Sequence, residues 1–149
     1  MPIRKILAAV DFSDQSNVVV EKAAEAARAF GVPVDILHVV APEPDFVGYP
    51  PFAYPGRDER ADELRKEKSA LKGMVDRLEA AGVTARAFMK EAPTSEGVVD
   101  FAEKHGADLI VIGTHSKGLL ERLLIGSSTN AILKRSGVPV LVVPPPEDS

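Results

Sequence analysis

The sequence predicts an α/β fold in which a five-stranded parallel sheet carries helices on both faces. Segments of strand length alternate with segments of helical pattern in the order β-α-β-α-β-α-β-α-β, which is typical of parallel sheets. The first strand ends in a continuous apolar run, as expected where both faces of a strand are covered. The 149 residues are 45% apolar and 27% charged, which is the composition of a soluble globular protein. We therefore expect one domain over residues 1–149.

The first part of the chain predicts two strands and one helix. A strand is expected over Ile3–Val10 and another over Val34–Val40. Between them, an alanine-rich segment predicts a helix over about Gln15–Phe30, with Ser13 as its N-cap. Gly31 is expected to end that helix.

Residues 41–57 differ in composition from their surroundings. They contain five prolines, which prevent a helix or a central strand, so a long loop is predicted. Four aromatic side chains lie in the same segment. They could cover a ligand or a partner surface, or they could pack on the base of the loop itself. The aromatic residues are Phe46, Tyr49, Phe52 and Tyr54.

The middle of the chain predicts two helices and a strand at the sheet edge. A charged helix is expected over Asp58–Ala81, because apolar residues recur along one of its faces. A weaker strand follows over Val83–Met89, and its alternating pattern favours an edge position. The next helix is expected to run to about His105, with Thr94 or Ser95 as its cap.

The last part of the chain predicts two strands and a helix. The strands are expected over Leu109–Ile112 and Val138–Val143, with a helix over about Ser127–Arg135 between them. The last strand is apolar and is predicted at a sheet edge. Exposed apolar edges favour pairing with a second copy of the chain, so a homodimer is expected.

Composition argues against several classes of protein. The chain has no cysteine, which excludes disulfides and thiolate metal sites. With a net charge of −4, the chain has no bulk basic character that would argue for binding to nucleic acid or anionic membranes. The first residues lack the order of a signal peptide, and no apolar run approaches the roughly 20 residues of a membrane helix. We therefore expect a cytoplasmic protein without nucleic-acid or membrane partners.

Residues at the ends of two predicted strands indicate a ligand site. Asp11 follows the first strand, and Gly113 follows the fourth, where glycine permits a positive φ or the close approach of a ligand. Gly126, Ser127 and Ser128 precede a helix, whose first N–H groups attract anions. In parallel sheets, ligands bind at the carboxyl ends of strands where the strand order reverses. The alternative is that Asp11 forms only a turn and the serines only cap the helix.

Charge in the same stretch supports an anionic ligand. Residues 113–135 hold four cationic side chains and one anionic side chain, so four minus one gives +3 in a chain of net charge −4. Two of the cations also have a structural explanation, because positive charge is favourable at a helix C-terminus. The charged residues are Lys117, Glu121, Arg122, Lys134 and Arg135.

Common catalytic and nucleotide motifs are absent. The sequence contains neither GxxxxGK[ST] nor GxGxxG nor an SGGxDS loop. The three histidines do not have the spacing of metal ligands. His38 is expected to be packed within its strand, and His105 to complement a helix end. His115 is expected either near a phosphate or in solvent.

Several separated segments resemble the universal stress protein family. Ile6–Ser13 (ILAAVDFS) and Leu37–Val39 (LHV) match its N-terminal half. Gly113–Ser116 (GTHS), Leu119–Ser127 (LLERLLIGS) and Val138–Val143 (VPVLVV) match its C-terminal half. The segments agree with the family in order and spacing, and the resemblance covers the chain apart from the proline-rich loop.

The resemblance implies an adenine nucleotide alpha hydrolase-like fold with strand order 3-2-1-4-5 and a dimer formed through the last strand. ATP-binding members carry glycine, two residues, glycine, nine residues, glycine, then serine or threonine. Gly113, Gly126 and Ser127 match this pattern, whereas Ser116 replaces the second glycine. If that position requires a left-handed φ, serine costs roughly 1–2 kcal/mol, or about tenfold in affinity.

Carried over position by position, the resemblance assigns roles to individual residues. Asp11 and Val39 are expected to contact adenine or ribose, and Ala9 and Ile112 to line the base pocket. Gly113 is expected to lie on the ribose. The expected phosphate contacts are Ser116, Gly126, Ser127 and Ser128.

The expected function is binding of ATP, or a related adenine nucleotide, by a stress-response homodimer. The nucleotide acts as a ligand or a switch, and Mg²⁺ could arrive on its phosphates. Two alternatives remain open: a dimer that acts through protein partners without ATP, and a slow ATP hydrolase. The sequence shows no convincing general base or arginine finger, so hydrolysis is expected to be weak at most.

Overall fold

The computed structural model describes residues 2–40, 57–114 and 125–146 and confirms the predicted alternation of strands and helices. The elements in these residues are β1 (Ile6–Val10), α1 (Ser16–Phe30), β2 (Val34–Val40), α2 (Arg57–Ala80), β3 (Ala85–Glu91), α3 (Thr94–His105), β4 (Leu109–Gly113), α4 (Ser127–Arg135) and β5 (Val140–Val143). Among the described residues, no helix combines the length and the hydropathy that a membrane crossing requires. The predicted loop over residues 41–57 lies outside the described residues, apart from Arg57 at the start of α2.

The strands form one parallel sheet in the order β3-β2-β1-β4-β5, which confirms the predicted fold class and strand order. β1 lies at the centre, where Ile6 is in register with Val34 of β2 and with Leu109 of β4. β3 and β5 are the two edges, as their sequences predicted. The centre of the sheet is therefore the strand that precedes Asp11.

Each face of the sheet is covered by two helices. On one face, Ile6, Ala8 and Val10 of β1 pack in a cluster with α1 and α2. On the other face, Leu7 packs in a cluster with α3 and α4, and Ala9 lies against the same cluster. Successive side chains of a strand point to opposite faces, so a strand buried on both sides must be apolar at every position. This explains the continuous apolar run of β1.

The helix ends are partly as predicted. Gly31 and Gly106 end α1 and α3 with φ angles of 70° and 68°, in the left-handed region that favours glycine. The predicted N-caps are wrong. Gln15 precedes α1 in place of Ser13, and Pro93 precedes α3 in place of Thr94 or Ser95. No side chain supplies the cap hydrogen bond at these two helix starts.

Three strands begin later than predicted because other groups hold the first residues. Before β1, the Arg4 N–H donates to the Asp108 carboxylate at 2.9 Å. Before β3, the Val83 N–H donates to the carbonyl of Leu78 at the end of α2, at 2.9 Å. Before β5, the hydroxyl of Ser136 donates to the carbonyl of Val138 at 2.7 Å in a tight turn. Arg4, Val83 and Val138 are thus held by these contacts, and β1, β3 and β5 begin after them.

Candidate functional site

The carboxyl ends of β1 and β4 border a cleft at the point where the strand order reverses. The chain runs from β1 through α1 to β2 on one side, and from β4 through α4 to β5 on the other. The cleft has a volume of about 210 Å³. Of the residues assigned a ligand role from the sequence, the structure brings six together in its lining: Ala9, Asp11, Val39, Ile112, Gly113 and Ser128.

The other three predicted site residues are placed differently. Gly126 and Ser127 lie beside Ser128 at the start of α4, but they are not among the residues that line the cleft. Ser116 lies outside the described residues. The described part of the predicted phosphate end is therefore the first turn of α4.

The floor of the cleft is apolar. Ala9, Val39 and Ile112 face it from three neighbouring strands, and all three belong to or pack against the core on the α3 and α4 side. Val98 of α3 and Ile132 of α4 form its walls. Such a lining accommodates a flat, weakly polar group and leaves the polar contacts to the rim.

Asp11 forms part of a hydrogen-bonded turn at the rim. Its Oδ1 accepts the Ser13 N–H at 2.9 Å and the Ser16 hydroxyl at 3.3 Å. The carbonyl of Ser13 accepts the Ser16 N–H at 3.0 Å. Ser13 is therefore part of the turn that precedes α1, which is why it cannot serve as the N-cap. Asp11 is held in place before any ligand arrives.

The residue after Asp11 connects the turn to the opposite face of the sheet. Phe12 has a φ of 60°, which is unusual for a residue with a side chain, and its ring packs against His38 at 4.6 Å between centroids. His38 is buried, with Nδ1 2.9 Å from the carbonyl oxygen of Val10 and Nε2 2.8 Å from the carboxylate of Glu67. His38 is therefore a packed histidine, as predicted.

The turn after β4 is fixed to the start of α4. The Gly126 N–H donates to the carbonyl of Thr114 at 2.9 Å, and the Thr129 hydroxyl donates to the carbonyl of Gly113 at 2.9 Å. Gly126 is the N-cap residue, and no side chain supplies the cap hydrogen bond at this helix start. Ser127 and Ser128 are thus not the caps of α4. Their N–H groups lie in the first turn, where an anion is favoured.

Gln15 is a cleft residue that the sequence analysis missed. It is 3% exposed, and its Nε2 donates to the Thr114 hydroxyl at 3.0 Å. A Cβ added to Gly113 would lie 2.0 Å from the Gln15 Oε1. Gly113 does not have a positive φ, so of the two explanations offered for this glycine the positive φ is wrong. The close approach at Gly113 is made by Gln15, a residue of this chain.

The positive charge predicted near the cleft is partly used elsewhere. Arg135 lies in the last turn of α4, which agrees with the structural explanation, and it also forms an ion pair with Glu96 of α3 at 3.3 Å. Both side chains are about half exposed, so the pair adds little stability. Lys117, Glu121 and Arg122 lie outside the described residues.

The remaining histidines and acids do not form a metal site in the described part of the chain. No group of three His, Asp or Glu side chains converges there. His105 stacks on Phe101 with ring centroids 3.8 Å apart, and its carbonyl accepts the Lys5 ammonium at 3.0 Å. His115 lies outside the described residues.

Known proteins match this chain in both sequence and fold. The sequence pattern of the universal stress protein family matches residues 2–144. A universal stress protein of Methanocaldococcus jannaschii is 39% identical over 146 residues, which cover 97% of this chain and 84% of that protein.

Solved structures show the same fold. A universal stress family protein from Burkholderia pseudomallei is 26% identical with a TM-score of 0.75, and the match covers 95% of this chain and 96% of that one. The Archaeoglobus fulgidus universal stress protein in complex with dAMP is 24% identical with a TM-score of 0.70, over 95% of this chain and 98% of that one. The cleft between β1 and β4 thus lies in a chain that belongs to the universal stress protein family.

Proposed function

We propose that this protein binds ATP or a related adenine nucleotide in the cleft between β1 and β4, as a cytoplasmic stress-response protein. The observation that carries the proposal is that the apolar floor of the cleft lies beside the first turn of α4. Both lie where the strand order of the sheet reverses. A nucleotide needs both, because its base is flat and its phosphates are anionic. The Archaeoglobus relative was solved with dAMP, which supports an adenine nucleotide as the ligand class.

The nucleoside end of the ligand is proposed to lie on the apolar floor. Ala9, Val39 and Ile112 supply a surface for the adenine ring without competing hydrogen bonds. Asp11 lies at the rim with its carboxylate fixed by two hydrogen bonds. A carboxylate accepts hydrogen bonds from the amino group of adenine or from a ribose hydroxyl. A fixed acceptor loses little entropy on binding.

The phosphate end is proposed to lie at the first turn of α4. Ser127 is exposed and Ser128 is half-buried, so N–H groups and hydroxyls are available beside the cleft. The helix dipole adds a partial positive charge at the same point. Mg²⁺ is expected to bind through the phosphates, since the described residues do not form a metal cluster of their own.

The nucleotide is proposed to be a ligand or switch, not a rapidly hydrolysed substrate. Among the described lining residues, Asp11 is the one ionisable side chain, and its Oδ1 already accepts two hydrogen bonds. An efficient hydrolase needs a group positioned to activate water and further positive charge on the transferring phosphoryl group. We therefore expect at most slow phosphate release.

Isothermal titration with ATP and Mg²⁺ tests the proposal. We expect saturable binding to the wild-type protein and a several-fold loss of affinity in Ser128→Ala, which removes one hydroxyl from the cleft. Ser95→Ala is the matched control, because Ser95 has the same position in the first turn of α3 without lining the cleft. Absence of binding at about 1 mM ATP, where even weak complexes of about −4 kcal/mol form, contradicts the proposal. That outcome favours the alternative function through protein partners.

A homodimer through β5 is proposed as the assembled form. The sequence predicted the pairing strand as Val138–Val143, and the structure has β5 at the sheet edge over Val140–Val143. Leu141 of β5 is 41% exposed and Leu133 of α4 is 39% exposed, so the edge carries apolar surface. A second copy could add its own strand and cover this surface.

Sedimentation of Leu141→Lys tests the dimer. The charge is expected to shift the protein from dimer to monomer while the free energy of unfolding of the monomer changes by less than about 0.5 kcal/mol. Phe30→Lys is the control, because Phe30 is 53% exposed at the end of α1, outside β5 and α4. A wild-type protein that sediments as a monomer at micromolar concentration overturns the dimer.

A further inference from the structure

Gln15 connects the two turns that border the cleft. Its backbone belongs to the Asp11 turn, where the Gln15 N–H donates to the hydroxyl of Ser13 at 3.3 Å. Its carbonyl accepts the Val19 N–H at 2.9 Å and so begins the hydrogen bonding of α1. The side chain is buried, and it extends from this turn towards the end of β4. Gln15 is thus fixed at its backbone by one turn and at its amide by the other.

The amide of Gln15 contacts Gly113, the last residue of β4, and Thr114, the residue that follows it. Its Nε2 donates to the Thr114 hydroxyl at 3.0 Å. Its Oε1 lies over Gly113, in the space that a side chain at that position would fill. The position that the amide occupies therefore requires glycine at position 113.

From Thr114, the same series of hydrogen bonds continues to α4. The carbonyl of Thr114 accepts the Gly126 N–H at 2.9 Å. The carbonyl of Gly113 accepts the Thr129 hydroxyl at 2.9 Å. The connected groups therefore run from the Asp11 turn, through Gln15, to the first turn of α4.

We propose that Gln15 is a positioning residue that sets the separation between the nucleoside end and the phosphate end of the cleft. The inference rests on the proposed function and defines its ligand class, namely a compound that carries both an adenine nucleoside and phosphate groups. Such a ligand contacts both turns at once, so it gains affinity when their separation is fixed beforehand. Adenosine alone contacts the apolar floor and the Asp11 turn but not the first turn of α4, so its affinity does not depend on the connection.

Titration of two variants with ATP and with adenosine tests this role. Gln15→Met keeps the length of the side chain and removes the amide. Thr114→Val keeps the shape and the backbone carbonyl that Gly126 requires, and removes the hydroxyl. We expect each variant to lose about tenfold in ATP affinity while adenosine affinity stays within about twofold. The double variant is expected to lose no more ATP affinity than either single variant, because both substitutions remove the same hydrogen bond between Gln15 and Thr114.

The controls separate this role from a general loss of structure. Asn17→Met changes an exposed amide two residues after Gln15, in the first turn of α1, and it is expected to leave both affinities unchanged. An equal loss of adenosine and ATP affinity in Gln15→Met and Thr114→Val overturns the positioning role, as does an additive loss in the double variant. Failure of the wild-type protein to bind either compound overturns the proposed function and this inference with it.

Discussion

The two faces of the sheet end differently at its carboxyl edge. On the α1 and α2 face, Phe12, His38 and Glu67 fill the space above the strands, and both ring nitrogens of His38 contact an acceptor. On the α3 and α4 face, the same strands end at an open cleft with half-buried Ala9 and Val39. Neighbouring residues of β2 thus have different roles: His38 packs on the closed face, and Val39 lines the cleft. Position along the strand decides whether a substitution alters stability or ligand binding.

The largest expected effect is on the closed face. Ile36 is 0% exposed within the α1 and α2 cluster, so Ile36→Ala is expected to lower the free energy of unfolding by about 3 kcal/mol. Val39 is half-buried on the cleft face, and Val39→Ala is expected to cost about 1 kcal/mol or less while weakening nucleotide binding. Urea denaturation and ATP titration measure the two quantities. Equal unfolding costs at the two positions would remove the distinction between the faces.

A middle-sized effect is expected at the buried histidine. Nδ1 of the buried His38 ring lies 2.9 Å from the carbonyl oxygen of Val10, and Nε2 lies 2.8 Å from the carboxylate of Glu67, so substitution removes a polar contact on each side of the ring. His38→Leu is expected to cost about 2 kcal/mol, less than for a fully buried ion pair, because Glu67 remains 19% exposed.

A double-mutant cycle with Glu67→Leu isolates this contact. The two substitutions are expected to be coupled by about 1 kcal/mol in denaturation experiments. ATP affinity is expected to stay within twofold, since the pair lies on the closed face. Additive unfolding costs would show that the contact contributes nothing to the stability of this face.

The smallest expected effect on stability is at the boundary between the two faces. A Cβ at position 113 would lie 2.0 Å from Gln15 Oε1, so Gly113→Ala is expected to push the amide aside. Because the displaced group is the end of a flexible side chain, the cost in unfolding free energy is expected to be about 1 kcal/mol. ATP affinity is expected to fall by about tenfold as Gln15 leaves Thr114.

Gly137→Ala is the matched control for this substitution. Nothing lies within 4 Å of a Cβ added to Gly137, and its backbone is not in the left-handed region. We expect neither unfolding nor ATP titration to change beyond about 0.5 kcal/mol. If Gly113→Ala behaves in the same way as this control, the approach of Gln15 has no functional consequence.

Much of the fold follows from patterns that are local in the chain. The buried strands are continuous apolar runs, and α4 has the bounds that its Gly-Ser start and its basic end predicted. The strand starts were harder to predict, because Val83 is apolar but its N–H is used by the end of α2. Side-chain character alone does not show which backbone group a neighbour will take.

Site residues that directly follow a strand could be predicted from the sequence. A residue that connects two turns from distant parts of the chain could not. Asp11 and Gly113 each directly follow a predicted strand and both line the cleft. Gln15 gave no such signal, since a polar residue at a helix start is usually in solvent. Its contact with Thr114 exists because β1 and β4 are neighbours in the sheet. The pairing of Arg135 with Glu96 was also hidden, because α3 and α4 come together only in the folded chain.

The hydrogen bond between the Thr114 carbonyl and the Gly126 N–H has a consequence for protein engineering. It joins Thr114, which follows β4, to Gly126, which precedes α4, with the nitrogen and oxygen 2.9 Å apart, so both residues that flank residues 115–125 are fixed. The entropy of closing such a segment grows slowly, by about 0.6 kcal/mol for each doubling of its length. The segment can therefore be exchanged as a cassette between fixed ends. Ligand preference could then be redesigned without altering the sheet beneath it.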